Sequence, residues 1–366
     1  MTALCREITE RRCEQLSEGI ACEANVDTVY FGGGTPSTLT PSQLTSILDC
    51  IYENYRVAPD AEVTLEMNPD DLDTPPENPP WRGGSWGWTF NRISLGIQTF
   101  DDSLLRLIHR RHDSSTAIRA VQQLQAAGCD NISIDLIYGL PGQTLEQWQG
   151  DLDTAFSLGI QHLSAYALSY EPGTVLSRWR DEGLVQEADE ELSVTMYAEL
   201  CRRTRQAGFE HYEISNFALP GRRSRHNSSY WTGIPYLGFG PGAHSYDGLR
   251  TRRANKPDLQ SYLSFSQQTE FPLPVETDLL SDAELFDEAV MCGLRTCEGI
   301  DLGMIEHRFG RHRLNALLQA ARPHINAARL IIHIPSSSQQ PPSATYLRLA
   351  ESAIMTSDDI MSDLMA

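Results

Sequence analysis

Strand-like and helix-like segments alternate along the first 215 residues, and this alternation limits the possible folds more than any single motif. Strand-like runs lie at 28–31, 62–67, 92–97, 132–138, 162–168 and 211–215. Helix-like runs lie at 41–55, 114–127, 144–158 and 189–207, and residues 1–24 carry a helical stripe of Leu4, Ile8, Cys13 and Leu16. Gly128, Gly159 and Gly208 each follow the last periodic residue of a helix, where a C-terminal cap belongs. Strands followed by helices of ten to twenty residues imply repeated βα units, an α/β class and a parallel sheet. In such a sheet the chemistry gathers at the C-terminal strand ends. Here those ends offer the Gly32–Thr35 turn, Glu66, Gln98, Asp135 and Ser169.

Two stretches break the rhythm. Residues 74–90, TPPENPPWRGGSWGWTF, hold too many prolines and glycines for the helix that should join strand 62–67 to strand 92–97. Residues 335–345, PSSSQQPPSAT, read as a hairpin or wing loop. Between them, 281–330 is helical and ends in the apolar run Leu330–Ile334, which predicts a small C-terminal α/β module of winged-helix type. The expected domains are therefore 1–250, a linker or extension at 251–280, and a module at 281–366.

The balance of 29 basic against 49 acidic residues gives a net charge of −20. That argues against nonspecific nucleic-acid binding and for a cytoplasmic protein. No run approaches the length of a membrane span, and charges interrupt the N-terminus too early for a secretory signal. The eight cysteines are scattered, which makes reduced thiols the expectation.

Residues 28–36, TVYFGGGTP, carry an apolar strand into three glycines, which lets backbone groups approach a ligand closely. With this segment stand EMNPDDL (66–72), NRISLGIQTFDDSLLRLIHRRH (91–112), ISIDLIYGLPGQT (132–144), LSAYALSYEPGT (163–174), EHYEISNFA (210–218), RHNSSYW (225–231) and YLGFGPGAHSY (236–246). Together, and in this order, they resemble the oxygen-independent coproporphyrinogen III oxidase family of radical S-adenosylmethionine (SAM) proteins. The likeness is greatest to its heme chaperone (HemW) branch. The resemblance implies a partial (β/α)6-type radical SAM TIM-like barrel and a C-terminal module of the family's own type.

It also implies a ligand set. S-adenosylmethionine presents an amine, a carboxylate, a ribose diol and an adenine, which call for acceptors, a cation and further acceptors. Gly33, Gly34 and Thr35 would meet the methionyl end, and Glu66 would accept from the amine. Arg110 would pair with the carboxylate, and Gln98 and Asp135 would hold the ribose hydroxyls. Ser169 is a weaker candidate. His226, in His-Asn-Ser-Ser-Tyr-Trp, resembles the HNxxYW signature associated with heme, and a neutral imidazole suits heme iron. His244 would be a polar wall rather than a ligand. Taken singly, each residue also has a structural reading: a glycine turn, a capping Glu66, a surface Arg110, a loop His226. Asp135 is the exception, because a carboxylate inside an apolar run needs a partner.

The family's [4Fe–4S] cluster requires three thiolates, carried as Cys-x3-Cys-x2-Cys in a loop after the first barrel strand. Cys5, Cys13 and Cys22 have seven and then eight residues between them and do not match that spacing. The expectation is a barrel lacking its first strand, with no cluster ligands in this sequence. A late assigned start and a reading frame that slipped around 74–90 would account for both departures. The functional expectation is a heme-binding chaperone on a radical SAM scaffold. The alternatives are an oxygen-independent coproporphyrinogen III oxidase and an inactive, cluster-free fragment.

Overall fold

The computed structural model describes residues 1–17, 19–72, 90–267, 273–334 and 345–365. The chain forms two compact units: Thr28–Leu44 with Glu62–Ser224, and Met1–Asp27 with Thr45–Ala61 and Arg225–Ala366.

The first unit is organised by a seven-stranded sheet. Its strands are β1 (Asn25–Phe31), β2 (Arg56–Met67), β3 (Arg92–Gln98), β4 (Ile132–Tyr138), β5 (His162–Ala167), β6 (Glu210–Glu213) and β7 (Asn216–Ala218). They are ordered β1-β2-β3-β4-β5-β7-β6. Pairings β2–β3, β3–β4 and β4–β5 are parallel, whereas β7 runs antiparallel to β5 and to β6. This is an α/β sheet with a parallel centre, as the alternation predicts, and it curls into a half-barrel, as the resemblance implies. The predicted insert at 74–90 lies outside the described residues except for Phe90, which is fully buried.

Alternation along each strand sorts the two faces of this sheet. Leu65, Ile93, Leu95, Ile134, Leu136 and Leu163 point to one face and are fully buried. Each such side chain contributes about 1.5–3 kcal/mol. The opposite face carries Tyr30, Glu66, Ser94, Asp135 and Ser164. Register places Glu66 beside Ser94, and Gly96, Asp135 and Ser164 side by side on successive strands. One face is thus core, and the other is polar and available for chemistry.

Helices supply the cover and have local causes. Ser114–Ala126 is capped by Asp113, whose carboxylate accepts from Thr116 N at 2.8 Å, and it buries Ala117, Ala120, Val121 and Leu124. Leu145–Ser157 begins in a Thr144/Gln147 capping box and buries Trp148, Asp151, Leu152 and Ala155. Glu190–Gln206 starts at the Asp189 cap. The three predicted capping glycines, Gly128, Gly159 and Gly208, adopt φ of 87°, 66° and 82°.

In the second unit the N-terminal helix is shorter than its apolar stripe predicts. It covers only Thr2–Glu10, followed by a turn of 3₁₀ helix and a small hairpin pairing Gln15–Leu16 with Gly19–Ile20. Gly19, at φ 126°, takes a backbone conformation closed to other residues, and Ser17 N donates to Asp247 O at 2.7 Å. Leu16 is therefore buried by the hairpin rather than by a helix face. A three-stranded antiparallel sheet combines His244–Tyr246, Thr251–Asn255 and Val275–Leu279.

The C-terminal part follows a winged-helix order. Helix Asp282–Arg295 leads to strand Ile300–Asp301 and then to helix Leu302–Asn326, broken at Gly310 (φ 85°, ψ 163°) into two. Strands Leu330–His333 and Tyr346–Leu349 complete a three-stranded sheet. The predicted wing loop, apart from Thr345, lies outside the described residues. Among the described residues, no helix is long and apolar enough to cross a membrane.

Candidate functional site

On the polar face of the sheet, the turn after β1 closes over the end of β2. Tyr30 Oη donates to Glu66 Oε1 at 2.6 Å, and Gly33 N donates to Glu66 Oε2 at 3.2 Å. Gly32 is glycine for a steric reason: a Cβ there would sit 2.5 Å from Tyr30 Cε1 and 2.7 Å from Glu66 Oε1. Gly33 adopts φ 90°, while Gly34 has open space around it. Thr35 leaves the turn and starts a 3₁₀ segment, its carbonyl accepting from Thr38 Oγ1 at 2.7 Å.

The end of β3 forms the second half. Arg110 Nη2 donates to Asn68 Oδ1 and to Gly96 O, each at 2.6 Å. A Cβ at Gly96 would lie 3.0 Å from Gln98 Nε2 and 3.4 Å from Arg110 Nη2. The absent side chain at 96 is what lets Gln98 and Arg110 converge. Gln98 itself sits at φ 73°, beside a bulge in the β3–β4 register. A left-handed backbone costs a residue with a side chain about 1–2 kcal/mol.

Asp135 stands between these halves on β4. Ser94 Oγ donates to it at 3.3 Å. Burial pushes its carboxyl up to about 6, with the Ser164 hydroxyl opposing and Glu66 adding to the rise. The Tyr30 phenol is pushed far up by burial and then by Glu66, and Tyr166 is raised to about 12 by burial and Asp135. Glu66, Asp135, Tyr30 and Tyr166 therefore share one electrostatic environment.

The sequence-predicted Gly33, Glu66, Gln98, Arg110 and Asp135 are thus brought to one polar face. Ser169, by contrast, is exposed and donates to Glu171 Oε1 at 2.6 Å. Sequence reasoning passed over Tyr30, Asn68, Gly96 and Tyr166. The alternation signal would have found three of them, since Tyr30, Gly96 and Tyr166 share their strand faces with Gly32, Gln98 and Ser164.

The donor set fits S-adenosylmethionine. Among the described residues, Arg110 forms no ion pair within 4.0 Å, and its Nε is buried without a hydrogen-bond partner. Burial lowers its pKa and Arg111 adds to the fall, while Asp70, Asp71 and Asp135 oppose it. A carboxylate would take the unused donor, and Glu66 retains acceptor capacity for an amine. The thiols of this sequence do not fit a [4Fe–4S] cluster. All eight cysteines are free, and no three lie within ligand distance of one another among the described residues.

In the other unit, His226 lies on helix Arg225–Trp231. Its Nε2 is 3.0 Å from Tyr230 Oη, and the two rings are perpendicular with centroids 5.1 Å apart. Tyr230 packs edge-on against Tyr236 at 4.9 Å, and Trp231 lies under the Arg295 guanidinium. Burial holds the His226 imidazole down to about 4, so it is neutral near pH 7. Tyr230 and Ile234 remain 39% and 48% exposed beside it. A neutral nitrogen donor flanked by exposed aromatic and apolar surface fits a heme. His244 lies exposed on the antiparallel strand His244–Tyr246.

Residues 2–155 match the Radical SAM superfamily model. The chain is 34% identical to the heme chaperone HemW of Bacillus subtilis (strain 168), over 79% of this chain and 75% of that protein. It is 36% identical to heme chaperone HemW of Synechocystis sp. (strain ATCC 27184 / PCC 6803 / Kazusa), over 81% and 69%. To that of Lactococcus lactis subsp. lactis (strain IL1403) it is also 36% identical, over 77% and 72%. Among solved structures, coproporphyrinogen III oxidase (HemN) from Escherichia coli, a radical SAM enzyme, superposes with a TM-score of 0.75 at 20% identity. That match covers 100% of this chain and 82% of the other.

Proposed function

The chain belongs to the HemW family of the radical SAM superfamily, and on that premise we propose that it binds and transfers heme through the unit that carries His226, while the sheet of its other unit holds S-adenosylmethionine. The observation that carries the heme reading is His226. It is a neutral imidazole on a short aromatic helix, paired with Tyr230 at 3.0 Å and bordered by exposed apolar surface. Three relatives named as heme chaperones support the same reading.

On the sheet, Glu66 accepts from the ligand's amine, and the backbone of Gly33, Gly34 and Thr35 lines its methionyl end. Arg110 pairs with the carboxylate, where a planar guanidinium gives two parallel hydrogen bonds that lysine does not. Gln98 and Asp135 accept from the ribose hydroxyls. The residues of this chain bind and orient the ligand.

Titration of the full chain with heme tests the proposal. Wild type is expected to develop a shifted Soret band that His226→Ala weakens or abolishes. An unchanged spectrum in the variant would remove His226 from the site. Anaerobic incubation with coproporphyrinogen III discriminates the oxidase alternative, because formation of protoporphyrinogen would replace the chaperone reading.

A further inference from the structure

Gln98 holds a left-handed backbone at the end of β3, and such a conformation persists only where the surroundings overdetermine it. Hydrogen bonds grip the chain on both sides of it. Upstream, Arg110 Nη2 donates to Gly96 O at 2.6 Å, and His112 Nε2 donates to Ile97 O at 3.1 Å. Downstream, Phe100 N donates to Asp151 Oδ1 at 2.6 Å, and Thr99 Oγ1 donates to Asp151 Oδ2 at 2.8 Å. Thr99 Oγ1 also accepts from Asp101 N at 3.1 Å. One turn earlier on the Asp151 helix, Gln147 Nε2 donates to Asp101 Oδ2 at 2.9 Å.

Gln147 and Asp151 thus form an i, i+4 pair on one helix face, and together they hold residues 99–101. Asp151 is 2% exposed. A buried carboxylate is costly unless it is fully hydrogen-bonded, and here both oxygens are spent on the two residues that follow Gln98. We propose that Asp151 is a positioning residue for the ligand site. It clamps the strand end after β3, which fixes the backbone of Gln98 and aims its carboxamide toward the space that Gly96 leaves open beside Arg110. The inference rests on the S-adenosylmethionine reading of that site, with Gln98 on the ribose. Asp151 touches no ligand itself and acts through Gln98.

Two measurements on the full chain test the clamp separately from the ligand reading. The first is amide hydrogen exchange without ligand. Asp151→Asn, which keeps the shape and loses one acceptor, should speed exchange at Phe100 by on the order of tenfold. Thr99→Val should do so to a smaller degree. Unchanged exchange at Phe100 in both variants overturns the clamp.

The second is equilibrium dialysis with S-adenosylhomocysteine as the probe. Asp151→Asn and Gln98→Ala should each weaken binding by on the order of tenfold, and the double variant should bind no worse than Gln98→Ala. Independent, multiplying losses would show that Asp151 does not act through Gln98 and would overturn the positioning role. If the wild type binds no probe, the ligand reading fails, and exchange at Phe100 still decides whether Asp151 sets the strand end.

Discussion

Arg110 carries a charge that no carboxylate meets directly among the described residues, although Asp70, Asp71 and Asp135 act on it from further off. Its two hydrogen bonds go to a neutral amide oxygen and a carbonyl, and its Nε is buried without a partner. A half-buried guanidinium with an unused donor has capacity for one more acceptor. The proposed ligand offers a carboxylate as that acceptor. Arg110→Lys keeps the charge and removes the planar fork. It should weaken S-adenosylhomocysteine binding by on the order of tenfold without lowering the melting temperature. A variant that binds as tightly as wild type would show that Arg110 does not grip the carboxylate.

At the scale of elements, the glycine turn after β1 works because of what Gly32 omits. A methyl group there meets Tyr30 Cε1 at 2.5 Å and Glu66 Oε1 at 2.7 Å, so one of them must move. Gly32→Ala should cost about 1–3 kcal/mol in a denaturant melt and displace Glu66 from its bond to Tyr30. Gly34→Ala, with open space around it, should cost far less at the same readout. Equal losses would mean that the turn, not the contact with Glu66, demands glycine. The alternation that predicts the strands also exposes Asp135 as the odd residue in Ile132–Tyr138, because position and polarity are both local properties. Asn68 and Asp151 were not legible. Their roles depend on which carbonyls and amides the neighbouring strand end presents, and that follows from register and the bulge at Gln98. The apolar stripe over residues 1–24 misled for a related reason. Spacing alone does not reveal that Gly19 turns the chain into a hairpin.

Across the whole molecule, burial disfavours ionisation on the polar sheet face, at Asp135 and His162, and on the covering helix Leu145–Ser157, at Asp151. Asp135 and Asp151 are each pushed up to about 6, burial being the main cause, whereas an unfolded aspartate titrates near ~4. The native state therefore holds these protons more tightly. The stability they contribute is complete below about pH 4 and is lost as the pH rises to about 6. His162, between Ser133 Oγ and Tyr212 Oη at 2.7 Å each, behaves oppositely. Burial drives it well below the usual range, so its contribution is complete above about pH 6.5 and is lost as the pH falls. Because the two trends oppose each other between about pH 4 and 6, a stability profile of the wild type isolates neither. A difference between proteins does. Asp135→Asn removes the ionisation while keeping the shape, and it should be more stable than wild type by about 1–3 kcal/mol at pH 7. That advantage should shrink to nothing near pH 4, and the same variant should bind S-adenosylhomocysteine less tightly. Urea melts of both proteins across this range measure the difference directly. If the gap does not change with pH, lost hydrogen bonds to Ser94 and Ser164 set the effect, and the carboxylate at 135 is not held at a cost for the sake of a ligand.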